Sequence, residues 1–165
     1  MKGIDTIIEA QRLMFAQYLW PTNNCQWYGR CQINARAMKG NISSVIPEVL
    51  NAGTKEYTNV LLNDSYDSIS FFDVQSERTI ETATVDIYFA VRLDRLYPTV
   101  QERATEYVLS DVALALKRGG FFVDVVKITD GYDGWKQWTI VRKEDNMQPF
   151  YLFKFRTNTQ YSLTC

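Results

Sequence analysis

The residue types that most often do chemistry are thinly represented. The 165 residues include no histidine. That removes the commonest general base, the commonest zinc ligand and every Ser-His or Cys-His nucleophilic pair. Carboxylate and lysine chemistry remain. Asp64, Asp67 and Asp73, or Asp86 and Asp94, could pair as acid and base, but carboxylates are common in any soluble protein and their presence alone is a weak signal. Asp130 and Asp133 put two potential oxygen ligands on the run DGYDG. A calcium loop needs several more oxygens at fixed spacing and a distal bidentate Glu, which is missing. Gly and Asp are also the ordinary residues of tight turns, so a turn is expected at 130–134. The chain contains no GxxxxGK[ST] run and no strand–GxGxxG–helix, so no phosphate cradle is expected. The expectation is a protein without catalytic residues, cofactor or metal.

Charge and aromatic content point toward contact instead. A formal net charge of −1 gives no overall field for nucleic acid or an anionic membrane surface. No run approaches the ~20 apolar residues that span a bilayer. The first twenty residues are interrupted by Asp5, Glu9, Gln11 and Arg12, which predicts a helix and not an export leader. Cys25, Cys31 and Cys165 are odd in number and widely spaced, as suits reduced thiols in a cytosolic setting. Aromatic residues reach 14%, and they cluster: Trp20, Trp27 and Tyr28 in one region, Trp135 and Trp138 in another. Single-stranded nucleic acid would need a basic track beside such rings, but Lys136, Arg142 and Lys143 are neighboured by Asp133, Glu144 and Asp145. Core packing or a protein interface is the expectation, with Trp27, Tyr28, Trp135, Trp138 and Phe155 as the contact residues.

The elements that would position these residues can be read from periodicity. Ile4, Ile8, Phe15 and Leu19 recur at helical spacing, widened by Ile7, Met14 and Tyr18, and Pro21 forces a stop. Residues 22–56 read as irregular, with a short strand around Trp27–Ile33. YTNVLLND and SISFFDV each predict a strand, with a turn at Asp64, Ser65 and Asp67. Ala83, Val85, Ile87, Phe89, Val91 and Leu93 alternate with Thr82, Thr84, Asp86, Tyr88, Ala90 and Arg92. This predicts one long strand with a core face and a second face that is wet or meets a hydrophilic partner. Thr99 and Glu102 form a capping-box pattern for a helix running to about Arg118, closed by Gly119-Gly120. Its predicted stripe is Ala104, Tyr107, Val108, Val112 and Ala115. Strands are expected at 121–129, 135–143 and 148–158. The sum is one α+β domain over 1–165, an antiparallel sheet with helices packed on one face.

A long alternating strand (TATVDIYFAVRL), a Pro-terminated crossing into an amphipathic helix (TVQERATEYVLSDVALALKR), and a β-rich C-terminal segment with DGYDGWKQW together resemble the bacteriophage tail-terminator and tail-completion proteins. The resemblance covers roughly 57–158 and is one of pattern, so no residue role transfers with it. It implies a structural virion protein at the tail end or head–tail neck, assembled in the host cytoplasm. It implies a homo-oligomeric ring, a hexamer or dodecamer, contacting portal, connector or other tail subunits, with DNA only passing through the lumen and no membrane partner. Acidic turn residues (Asp64, Asp67, Asp130, Asp133) would then repel passing DNA, and 22–56 would be an interface insertion. Two other classes compete: a cytosolic small-molecule or peptide-binding α+β module, and an Asp/Lys enzyme such as a metal-dependent phosphodiesterase.

Overall fold

The alternating run forms the middle of a seven-stranded sheet. A computed structural model describes residues 3–33, 47–50, 57–59, 65–78, 82–100, 102–131, 135 and 150–160. The strands are β1 (Cys25–Ile33), β2 (Pro47–Leu50), β3 (Tyr57–Asn59), β4 (Ser68–Arg78), β5 (Thr82–Val91), β6 (Phe122–Asp130) and β7 (Tyr151–Gln160). Their order across the sheet is β3-β2-β1-β4-β5-β7-β6. The helices are α1 (Ile4–Tyr18), the short α2 (Leu93–Leu96) and α3 (Ala104–Gly119). The fold is therefore α+β, a sheet flanked by helices, and the sheet is mixed. Strands β1 and β4 run parallel while the other neighbouring pairs are antiparallel. The expectation of a purely antiparallel sheet is corrected on this point. So is the reading of 22–56 as irregular apart from a short strand, because its described residues supply all of β1 and all of β2.

One face of the sheet carries the helices. Ile4, Ile8 and Phe15 of α1 and Val108, Val112 and Leu116 of α3 bury themselves against Val85, Ile87, Phe89, Phe153 and Phe155. The buried stripe of α3 thus runs Val108–Val112–Leu116, and Tyr107, expected on it, is exposed. Phe89 and Phe153 stack with centroids 4.9 Å apart, and Phe15 meets Phe89 edge-on at 5.8 Å.

The second face is covered too. Tyr88, Ala90, Ile69, Phe71, Leu152, Cys31 and Val49 form a separate apolar cluster closed by Trp135 and Phe150. Asp86, Tyr88 and Ala90 are buried, so the expectation of a wet second face on β5 is corrected. A central strand covered on both sides gains burial from every residue, whatever the polarity pattern suggests.

Two boundaries also differ from expectation. The strand ends at Val91, and Leu93 belongs to α2. Helix α3 starts at Ala104 behind Arg103, whose left-handed φ of 61° and uncapped N-terminus replace the predicted Thr99/Glu102 box. A turn closed by Val100 N–H donating to Tyr97 O takes up Pro98 and Thr99. The C-terminal end follows expectation: Gly120, at φ 69°, donates to Leu116 O.

Gln11 is the polar residue in the buried stripe of α1. It is fully buried, and among the described residues neither side-chain polar atom has a hydrogen-bond partner. Gly119 leaves the room for it, since a Cβ there would lie 2.5 Å from Gln11 Oε1. An unpaired buried amide costs about 1–3 kcal/mol. Gln11→Leu, of similar volume, is therefore expected to stabilise the fold by about 1 kcal/mol or more, read as a higher midpoint in urea with an unchanged slope. A lower midpoint would show that the amide is satisfied in solution.

Candidate functional site

The carboxylates separate into structural roles. Asp67 ties three elements together: it accepts from Asn23 Nδ2 and Asn24 N–H, each at 3.1 Å, and from Arg95 Nη1 at 3.4 Å. Asp94 sits on α2, held by Arg92 Nη2 at 2.9 Å and Nε at 3.1 Å; those hydrogen bonds keep its carboxyl below the ordinary range. Asp130 accepts from Tyr151 Oη at 3.3 Å. Burial first, then the charge of Asp130, pushes that phenol up to about 12. Asp86 and Asp94, considered together from sequence, share no partner in these contacts, and Asp64, Asp133 and Trp138 lie outside the described residues.

The structure does bring Asp86 opposite Asp73 across the β4–β5 ladder. Asp86 is 1% exposed, and Arg156 binds it with two hydrogen bonds, Nε at 2.9 Å and Nη2 at 3.0 Å. Lys154 Nζ stands 3.5 Å away. Asp73 accepts from Gln75 Nε2 at 2.6 Å and interacts with the Cys31 thiol, which burial and that carboxylate push far above the ordinary range. With its cations matched to its acids, the cluster is an internal cross-strand lock. Among the described residues no group of three His, Cys, Asp or Glu is placed to hold a metal ion, and no helix is long and apolar enough to cross a membrane.

Of the five expected contact residues, two are core. Trp135 is fully buried, edge-on to Phe71 and Tyr88 at 5.4 Å, and donates from Nε1 to Phe153 O at 3.2 Å. Phe155 is fully buried beneath the helices. Neither presents surface to a partner, for the same physical reason: large apolar rings beside a sheet fill its faces before they reach its surface. Trp27 is half-buried, stacked between Phe15 at 5.4 Å and Trp20 at 6.0 Å. Tyr28 is also half-buried, packed against the second cluster.

The exposed large apolar residues lie elsewhere. Among the described residues they are Leu13 and Tyr18 on α1, Tyr107 and Leu114 on α3, and Val125, Val126 and Ile128 on β6. Among the described strands β6 is the outermost beside β7, and among its described side chains Val126 is the most exposed apolar one at 56%. Val126 falls where the register with β7 slips, between Val125↔Thr157 and Lys127↔Arg156; a second slip lies between Phe122 and Asp124. Such irregularities twist an edge and restrict which strand can extend it.

A groove of about 490 Å³ runs between the helices, lined by Met14, Tyr18, Leu19 and Trp20 from the α1 side and by Asp111, Leu114, Ala115 and Arg118 from α3. Trp20 adopts a left-handed φ of 50° directly before Pro21, a strained state for a bulky residue. A hydrogen-bond chain holds it: Trp20 Nε1 donates to Tyr97 Oη at 3.0 Å, and Tyr97 Oη donates to Asp111 Oδ2. Burial and the Asp111 carboxylate raise the Tyr97 phenol, so it stays a donor across the physiological range. Sequence reading assigns Met14 and Tyr18 to the core; the width of the α1 stripe, too broad for one sheet contact, is the available signal that part of it faces outward.

No family model, no curated protein and no solved structure matches the chain.

Cys25 and Cys31 are free thiols. Burial, then the charge of Asp67, pushes the Cys25 thiol up to about 12. A folded value above the unfolded one, about 8.5, contributes stability that is present below that unfolded value and is lost as pH climbs toward 12. Native-state alkylation of Cys25 is therefore expected to keep rising with pH beyond about 9, measured by short reagent pulses and peptide mass mapping. A plateau near the ordinary thiol value would contradict this.

Proposed function

We propose that this chain is a structural subunit that works by closing into a ring, of the kind that terminates a bacteriophage tail or joins head to tail. Its partners are copies of itself and adjoining portal, connector or tail subunits, and the reading places it in the virion. The observation that supports it is the β6 edge, with Val125, Val126 and Ile128 turned outward on a nine-residue strand at the rim of the sheet. Unpaired edge groups and β-branched side chains are the ordinary template for adding a strand from another chain. Among the described strands the two rims of the sheet are β6 and β3, which are different strands. Copies joined β6 to β3 are therefore related head to tail, and such a contact either closes into a ring or runs on as a fibre.

The test is particle mass by light scattering, for the chain alone and mixed with tail-tube or portal subunits. Six or more copies are expected, falling to two or fewer when Val126→Lys and Ile128→Lys are combined. Both side chains are exposed, so the fold should tolerate the change. A wild-type chain that stays below six copies in every mixture, or rings that survive both lysines, would remove the support.

A further inference from the structure

The outer face of α3 carries a self-complementary pattern, an acid at one end and a base at the other. Asp111 and Arg118 lie seven residues apart, two helical turns or about 10.5 Å, with Leu114 and Ala115 midway between them. All four line the α1–α3 groove. Leu114 is 46% exposed, a projecting side chain beside an apolar recess formed by Met14, Leu19 and Trp20.

We propose that α3 is a two-fold contact between copies of this chain. Laid antiparallel on its own copy, Asp111 meets Arg118 of the second copy and Arg118 meets its Asp111, so both ion pairs form at once. The symmetry axis then passes beside Leu114, and each Leu114 enters the groove of the other copy. Self-complementarity of one patch is what an isologous interface requires. An unrelated partner helix would need the same charges at the same spacing. Tyr97 binds one oxygen of Asp111 and orients the carboxylate, whose remaining lone pairs can still accept from a guanidinium. Trp20, held through the same hydrogen-bond chain, lines the recess. This contact is separate from the ring contact at the sheet rim. A two-fold operation relates two subunits, or two whole rings back to back, where the rim contact relates neighbours around one ring.

Sedimentation velocity on two single variants tests it. Arg118→Glu sets a carboxylate against Asp111 of the other copy, and Asp111→Lys sets an ammonium against its Arg118. Each variant alone is expected to weaken the two-fold dimer about tenfold or more, the effect of replacing attraction by like-charge repulsion at both ends. An equimolar mixture of the two is expected to restore association. In the mixed dimer the new glutamate faces the new lysine at one end, and the native Asp111 faces the native Arg118 at the other. Leu114→Glu, at an exposed position, should abolish the contact in either background, and circular dichroism should show every variant folded. A wild-type chain with no two-fold association, association indifferent to Arg118→Glu and Leu114→Glu, or a mixture that fails to recover would each overturn the proposal. Rings that form without any charge dependence would overturn this contact and leave the ring reading intact; a charge-dependent dimer that never builds rings would do the reverse.

Discussion

Replacing Trp135 with alanine is expected to cost about 3–5 kcal/mol of folding stability, the range for emptying a fully buried aromatic site. The ring plugs the second face of the sheet, edge-on to Phe71 and Tyr88, and its N–H satisfies the carbonyl of Phe153. Trp135→Phe keeps most of the volume and loses the hydrogen bond, so a smaller loss of about 1–2 kcal/mol is expected. Urea unfolding of both variants checks the order. The opposite behaviour, wild-type stability with impaired self-association, is what a surface contact at Trp135 would give, and it would refute the placement of this residue in the core.

The second large effect concerns the cross-strand lock. Arg156→Leu leaves Asp86 buried opposite Asp73, with Lys154 still 3.5 Å away. Removing one partner of a buried pair typically costs about 3–5 kcal/mol. Because Lys154 remains and Arg156 is partly exposed, about 2–4 kcal/mol is expected. Adding Asp86→Asn in the same chain removes the stranded charge and is expected to recover at least half of the loss. A double-mutant cycle in urea reads the coupling directly. Strict additivity of the two substitutions would show that they do not act on one another.

These two sites mark where sequence reading stops. The alternation in 82–93 correctly puts Val85, Ile87 and Phe89 on the helix side, because a period of two is a local property. It cannot show that Tyr88 and Ala90 are buried as well, since what covers them, Trp135 and Phe150, arrives from far along the chain. A hint is present in SISFF and YLF, whose consecutive apolar residues leave neither face of β4 or β7 wholly polar. The helices α1 and α3 and strands β4 to β7 are legible for the same local reason. The parallel pairing of β1 with β4 is not, because the chain passes through β2 and β3 before returning, and no short-range pattern encodes that return.

The candidate surfaces are less legible still. Aromatic residues draw attention in the sequence, yet Trp135 and Phe155 are core, while Leu114 on α3 and Val125, Val126 and Ile128 on β6 are exposed. Aliphatic residues on a helix or strand look the same in sequence whether they face inward or outward. Only the packed phase of α3, set by Val108, Val112 and Leu116, shows that Asp111, Leu114 and Arg118 share the outer groove. Likewise, only the order of the described strands shows β6 at a rim.

The proposed role is one of shape and contact, exercised through closed assembly. Electron-microscope imaging of the purified protein, alone and with its candidate tail or portal partners, tests it most directly. Class averages of closed rings with six-fold or twelve-fold rotational symmetry are expected, lost when Val126 and Ile128 become lysine. Isolated particles of one or two copies under all of these conditions would contradict it.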